Sequence, residues 1–165
     1  MLASGGVVLD VACGSGRHAR HFFALGHPVE AVDRDAVAIA TLAQALPAIT
    51  ARVADLEAGP WPYAGQRFAG IVVTNYLHRP LFPVLRDSLA PGGVLIYETF
   101  MLGNERHGRP SNPAFLLQPG ELLAAFGAGL SVVAFEQGEV AEPKPAVVQR
   151  ICIVNTADVT RLRLP

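Results

Sequence analysis

Short apolar runs alternate with amphipathic stretches along the chain. Residues 7–11, 28–32, 49–54, 69–74 and 94–98 are mostly apolar and of strand length. Runs of this kind suit parallel strands buried on both faces. Between them the spacing predicts helices over 17–25, 35–45 and 81–89. Gly26 lies just past the first helix, where a left-handed residue closes a turn. Asp35 is placed to cap the second and Pro47 to stop it, and Pro91-Gly92-Gly93 ends the third. Gly59, Pro60, Pro62 and Gly65 make 57–68 a loop. Such alternation predicts an α/β domain with helices on both faces of a parallel sheet.

The second half reads differently. Residues 99–118 form the longest stretch without periodicity, around the basic core Arg106-His107-Gly108-Arg109-Pro110. Loops of that length often act as lids or substrate contacts. Pro119-Gly120-Glu121 opens a helix that runs through Phe126. Two last runs, 130–137 and 147–155, are separated only by a Glu- and Pro-rich loop, which predicts an antiparallel hairpin. There is no internal repeat.

Candidate chemistry concentrates at the first strand end. In Leu9-Asp10-Val11-Ala12-Cys13-Gly14-Ser15-Gly16-Arg17-His18-Ala19 an apolar run carries an acid, then turns through two glycines into a helix. The glycines let backbone approach a ligand closely. Asp33 closes the next run, where a carboxylate can accept both hydroxyls of a ribose. The pattern fits a nucleoside cofactor, but Gly14-Ser15-Gly16-Arg17-His18-Ala19 also satisfies the dinucleotide fingerprint G-x-G-x-x-A. Asp10 separates the two. A carboxylate beside the loop repels a pyrophosphate and attracts the ammonium and sulfonium of S-adenosylmethionine.

Bulk properties narrow the alternatives. At 165 residues, half of them apolar, the chain makes one compact domain, 1–165. A net charge of −1 gives no broad field for nucleic acid or an anionic membrane. Cys13 and Cys152 make neither a disulfide framework nor a metal site. His18 and His21 sit three apart on one helix without a third ligand at a useful spacing, so no metal is expected. Residues 1–6 carry no basic segment and no apolar run approaches the ~18 residues of a bilayer span, so a soluble, cytoplasmic protein is expected.

Four motifs in order resemble the class I S-adenosylmethionine-dependent methyltransferases: residues 9–16, the acid Asp33, the pair Asp55-Leu56, and Leu89-Ala90-Pro91-Gly92-Gly93-Val94-Leu95. The closing hairpin resembles the family's sixth and seventh strands, so the likeness covers nearly the whole chain. Arg17 directly after the glycines is similar to small bacterial enzymes of the tellurite-resistance type. The resemblance implies a Rossmann-like, doubly wound sheet of seven strands, mostly parallel with an antiparallel C-terminal hairpin strand. Only six residues precede the first strand, where such proteins usually pack an N-terminal segment over the cofactor. The resemblance therefore implies either a minimal core lacking most of that cover or a sequence that starts inside a longer protein.

The resemblance also implies roles. Asp10 orients the loop and draws the methionine ammonium through a backbone or water bridge, or else only caps loop amides. Ala12, Cys13, Gly14, Ser15 and Gly16 bring main chain to the methionine moiety. Arg17 pairs with the cofactor carboxylate or is solvated. Asp33 holds the ribose, and Arg34 flanks the adenine or is solvated. Asp55 accepts from the adenine amine while the Leu56 amide donates to a ring nitrogen. Asn75-Tyr76-Leu77-His78 occupies the place that faces methyl group and acceptor. Tyr76 and His78 are the acid–base or orienting candidates there, with Glu98 lining the same pocket; packed rings are the alternative. Methyl transfer depends chiefly on positioning, and a base helps only when the acceptor must lose a proton. The implied acceptor is a small molecule, with S-adenosylhomocysteine as by-product. Arg106, His107 and Arg109 offer charge to an anion or an RNA phosphate, but no aromatic interleaving accompanies them. Two rival functions remain: a cofactor-binding module without turnover, and an NAD(P)-dependent oxidoreductase. Oligomeric state is not legible.

Overall fold

The computed structural model describes residues 5–161; residues 1–4, on which part of the leader expectation rests, and 162–165 lie outside it. Seven strands form one sheet in the order β3-β2-β1-β4-β5-β7-β6. They are β1 (Val8–Val11), β2 (Val29–Asp33), β3 (Thr50–Val53), β4 (Phe68–Thr74), β5 (Leu89–Phe100), β6 (Ser131–Val140) and β7 (Ala146–Val154). The helices are α1 (Arg17–Ala24), α2 (Ala36–Ala45), α3 (Leu81–Asp87) and α4 (Glu121–Phe126). β1 to β5 pair in parallel, and β7 runs antiparallel to both β5 and β6. The predicted hairpin forms, with its second strand inserted between β5 and β6.

Burial explains the strand assignments. β1 is buried at every position, as its uninterrupted apolar run requires. Ala31 on β2 packs with Ala19, Val29, Leu42 and Ile49 under α1 and α2. The larger core lies on the other face, where Leu9, Val11, Ile71, Val73 and Leu95 meet Phe82 and Leu85 of α3 and Leu122 and Phe126 of α4. Rings of Phe82, Tyr97 and Phe126 sit 5.2–5.9 Å apart in tilted and edge-on pairs, which suits their quadrupoles. Beyond α1 the first face carries no described helix over β5 and β7, and Ile96 is 40 % exposed there.

Two expectations shift. The third helix stops at Asp87 and β5 starts at Leu89, five residues before the predicted run. Leu89 pairs with Phe68, and the register then slips before Gly70 meets Val94. Gly92 turns there in the left-handed region, so Pro91-Gly92-Gly93 is an irregularity inside a strand and not a helix end. The 99–118 stretch is also more ordered than a free loop. It holds two short 3-10 turns, Asn104–Arg106 and Pro113–Phe115, and Met101 bridges Leu117.

Candidate functional site

The strand order reverses between β1 and β4, and ligand clefts in doubly wound sheets open at the carboxyl ends of strands at such a point. A cleft of about 340 Å³ lies there. Its floor is built from consecutive strand ends: Ala12 after β1, Asp33 ending β2, Ala54 and Asp55 after β3, Asn75 after β4, Thr99 and Phe100 on β5. Among the described residues Ala12 (φ 52°) and Asn75 (φ 55°) are the non-glycine residues with positive φ, and both line this cleft. Left-handed backbone costs an alanine about 1–2 kcal/mol, and strain of this kind clusters at sites where chain direction serves a ligand.

The glycine loop is wired by carboxylates. Asp33 accepts from the Gly14 amide (2.8 Å) with one oxygen and from the Asp35 amide (2.9 Å) with the other. Asp10 is 1 % exposed and accepts from the Ala19 amide (2.8 Å), so an acid on β1 caps the third residue of α1. Gly16, at the helix entrance, has no side chain for that task. Burial raises Asp10 to a pKa of about 6, against the Ala19 bond and the Arg17 charge. Asp10 therefore sits beneath the loop and acts through α1, not as an exposed charge beside a ligand. Gly16 (φ 77°) packs so closely on α2 that an added Cβ would fall 2.5 Å from Leu42 Cδ1. Burial, with Asp10 and Asp33 nearby, pushes the Cys13 thiol up to about 12, so it stays protonated near neutrality.

Asp55 is exposed at the cleft, and one of its oxygens accepts from the Glu57 (2.9 Å) and Ala58 (3.2 Å) amides. Those bonds hold its pKa below the ordinary carboxylate value. Tyr76 also lines the cleft, and the buried Tyr97 hydroxyl donates to its carbonyl (2.9 Å), fixing the turn after β4. Burial, with Glu57 and Asp55 close by, pushes the Tyr76 phenol up to about 12. It stays protonated near neutrality.

The structure thus gathers Ala12, Asp33, Arg34, Asp55, Leu56, Asn75 and Tyr76 on one cleft. Cys13, Gly14, Ser15, Gly16 and Arg17 belong to the adjoining loop and helix start and do not line it; Ser15 and Arg17 are exposed. His78 does not line it either, because the chain turns from Leu77 into α3 and the His78 carbonyl receives the Leu81 amide. Glu98 is a correction. Its side chain falls on the other side of the sheet and ion-pairs with Arg150 of β7 at 2.9 Å. Arg106 and His107 also turn away, toward Glu139 of β6 at 3.4 and 3.5 Å. No group of three His, Cys, Asp or Glu side chains able to hold a metal occurs among the described residues. No described helix is long and apolar enough to cross a membrane.

Sequence reasoning missed Ala54, Glu57, Thr99, Phe100, Pro110 and Phe115 as lining residues. Glu57 was within reach, two positions after a named acid. Pro110 and Phe115 were not, because long-range bonds place them. Asn104, buried, accepts from the Val147 amide and donates to the Pro110 carbonyl, both at 3.1 Å. Arg79 donates to the carbonyls of Ala114 (2.9 Å) and Leu116 (3.0 Å) and binds Glu121 with two nitrogens (2.6 and 3.0 Å). These struts hold Pro110 and Phe115 against the cleft as a wall.

The geometry is that of a doubly wound α/β domain with a cleft at its strand ends. The family model described as Methyltransferase domain matches residues 8–93, just over half of the chain, and the chain belongs to that family. The fold is shared with solved methyltransferases. TehB from Haemophilus influenzae aligns over 93 % of this chain and 58 % of its own, with 19 % identity and a TM-score of 0.77. An S-adenosylmethionine-dependent methyltransferase from Mesorhizobium loti aligns over 93 % of each chain (17 % identity, TM-score 0.73). A TehB-like S-adenosylmethionine-dependent methyltransferase from Corynebacterium glutamicum aligns over 93 % of this chain and 82 % of its own (20 % identity, TM-score 0.68). Sequence comparison with curated proteins gives no match.

Proposed function

We propose that residues 1–165 form a single domain that binds S-adenosylmethionine in the strand-end cleft and transfers its methyl group to a small-molecule acceptor in the cytoplasm. The observation that carries this reading is the convergence of Ala12 and Asn75, both held left-handed, with the carboxylates of Asp33 and Asp55 on one cleft. When bound, the cofactor supplies an electrophilic methyl carbon on a sulfonium. The chain's own residues bind and orient. Asp33 keeps a second lone pair on each oxygen for ribose hydroxyls. Asp55, held ionised, accepts from an exocyclic amine while Leu56 offers its amide and Arg34 flanks the base. Asp10 and Gly14–Gly16 shape the loop for the methionine end, with Arg17 available to its carboxylate.

Loop wiring disfavours a dinucleotide. Phosphate sites at helix N-termini use free amides, whereas here the Gly14 and Ala19 amides already serve carboxylates. A phosphate would have to displace an anion at each. A Tyr76 phenol raised to about 12 stays protonated near neutrality, which suits catalysis by positioning.

Calorimetry with S-adenosylhomocysteine and with NADH tests the reading. Micromolar binding of the first and none of the second is expected. Tight NADH binding with no S-adenosylhomocysteine binding overturns it. Cofactor binding with no methyl transfer to any of a broad acceptor panel leaves a binding module in place of the enzyme.

A further inference from the structure

We propose that the methyl acceptor is a small planar molecule that binds without negative charge, with its face against Phe115. This rests on the cofactor assignment above and concerns the other half of the same cleft.

Phe115 is 51 % exposed and lines the cleft. An exposed aromatic ring on an unconstrained loop would signify little. Here the carbonyls on either side of it, Ala114 and Leu116, are both held by the Arg79 guanidinium, whose orientation Glu121 fixes in turn. Asn104 holds the neighbouring wall residue, Pro110, by its carbonyl. The protein thus spends buried and charge-assisted hydrogen bonds to keep an apolar ring standing in solvent at a cleft mouth. A rigid apolar surface so presented lowers the ordering cost for a flat ligand that covers it. Phe100 on β5 adds a second ring to the lining.

Charge then selects among flat ligands. Asp33, Asp55 and Glu57 line the cleft, and Arg34 is the cation that lines it with them. Beside the lining, Arg79 is paired with Glu121, and Arg106 and His107 with Glu139, while Arg109 next to Pro110 is exposed to solvent. S-adenosylmethionine contributes one net positive charge, which still leaves the cleft negative. An anionic acceptor would meet an excess of lining carboxylates over the single lining guanidinium, Arg34. A neutral one would not. As the acceptor's lone pair bonds to the methyl carbon, the carbon–sulfur bond breaks toward sulfur. The resulting onium passes its proton to water. Carboxylates around the cleft favour that transient cation, and no base is required, in keeping with a Tyr76 that stays protonated.

The test is ligand titration, by calorimetry and saturation-transfer NMR, of the S-adenosylhomocysteine complex against matched ester and acid pairs. Methyl 4-hydroxybenzoate with 4-hydroxybenzoate is one such pair; one- and two-ring analogues, selenite and tellurite complete the panel. Neutral members are expected to bind at least about tenfold more tightly than their anions, as about 1.4 kcal/mol of repulsion requires. Phe115→Ala should abolish that binding while leaving S-adenosylhomocysteine affinity within about twofold, and Phe115→Tyr should restore it. Equal or tighter binding of the anions overturns the proposal. So does a Phe115→Ala protein that loses cofactor affinity instead, or a panel in which no neutral planar member binds at millimolar concentration. Failure of S-adenosylhomocysteine itself to bind refutes the cofactor assignment and is read separately in the first titration.

Discussion

Replacing Asp10 with asparagine isolates the cost of holding a charge beneath the glycine loop. Burial lifts this carboxyl from its ordinary 3.8 to about 6. At about 1.4 kcal/mol for each decade of proton affinity, ionised Asp10 costs the fold about 3 kcal/mol. The sign follows from proton counting. Between about pH 3.8 and 6 the native state holds a proton that the unfolded chain has released, so stability falls as pH rises through that window. Below it both states are protonated and the cost vanishes; above it the cost is constant. Asp10→Asn keeps a carbonyl for the Ala19 amide and removes the charge. Urea denaturation of both proteins from about pH 4 to 7.5 measures their stability difference. That difference should move by a little over ~2 kcal/mol in favour of the variant across the range, the first part of the cost having already accrued by pH 4. Any fixed cost of the buried amide nitrogen cancels in the pH dependence. A difference that stays flat refutes a buried, destabilised carboxylate, and one of opposite slope means that Asp10 is stabilised by its surroundings.

The loop glycines should differ. Gly16→Ala forces a Cβ against Leu42 at positive φ and should cost about 2–4 kcal/mol, whereas Gly14→Ala meets nothing within 4 Å and should cost about 1 kcal/mol; thermal unfolding ranks them. Asp33→Ala should weaken S-adenosylhomocysteine binding by about 100-fold or more, while Asp35→Ala, which removes the α2 cap accepting from Val37 and Ala38, should lower Tm and leave the affinity unchanged. Arg79→Lys should speed proteolytic cleavage within 101–118 nearly as much as Arg79→Ala, because an ammonium cannot match the fork that reaches two carbonyls and a carboxylate. Cleavage rates equal to the parent protein would show that the wall does not depend on this clamp.

Strands β1 to β4 and the helices over them were legible because each is a local pattern: a buried run, a cap, a breaking proline. The Asp35 cap is one case, accepting from Val37 and Ala38 as expected. β5 was read short because its first residues are held by pairing with Phe68, and the two glycines that mimic a helix end are a bulge. On the cleft, the strand-end positions Ala12, Asp33, Asp55 and Asn75 could be placed by counting from the ends of the apolar runs. Glu98 could not. Residues at a strand end alternate between faces, and Glu98 takes the face it shares with Arg150.

Composition and periodicity alone determined an α/β domain and the strand-end order of its acids, because burial of short apolar runs acts on neighbours in sequence. Only the assembled chain decided that β7 slides between β5 and β6, that Asp10 lies under α1, and that Arg79 and Asn104 raise Pro110 and Phe115 into a wall. Those arrangements join residues dozens of positions apart, and a hydrogen bond across such a gap leaves no mark in either local pattern.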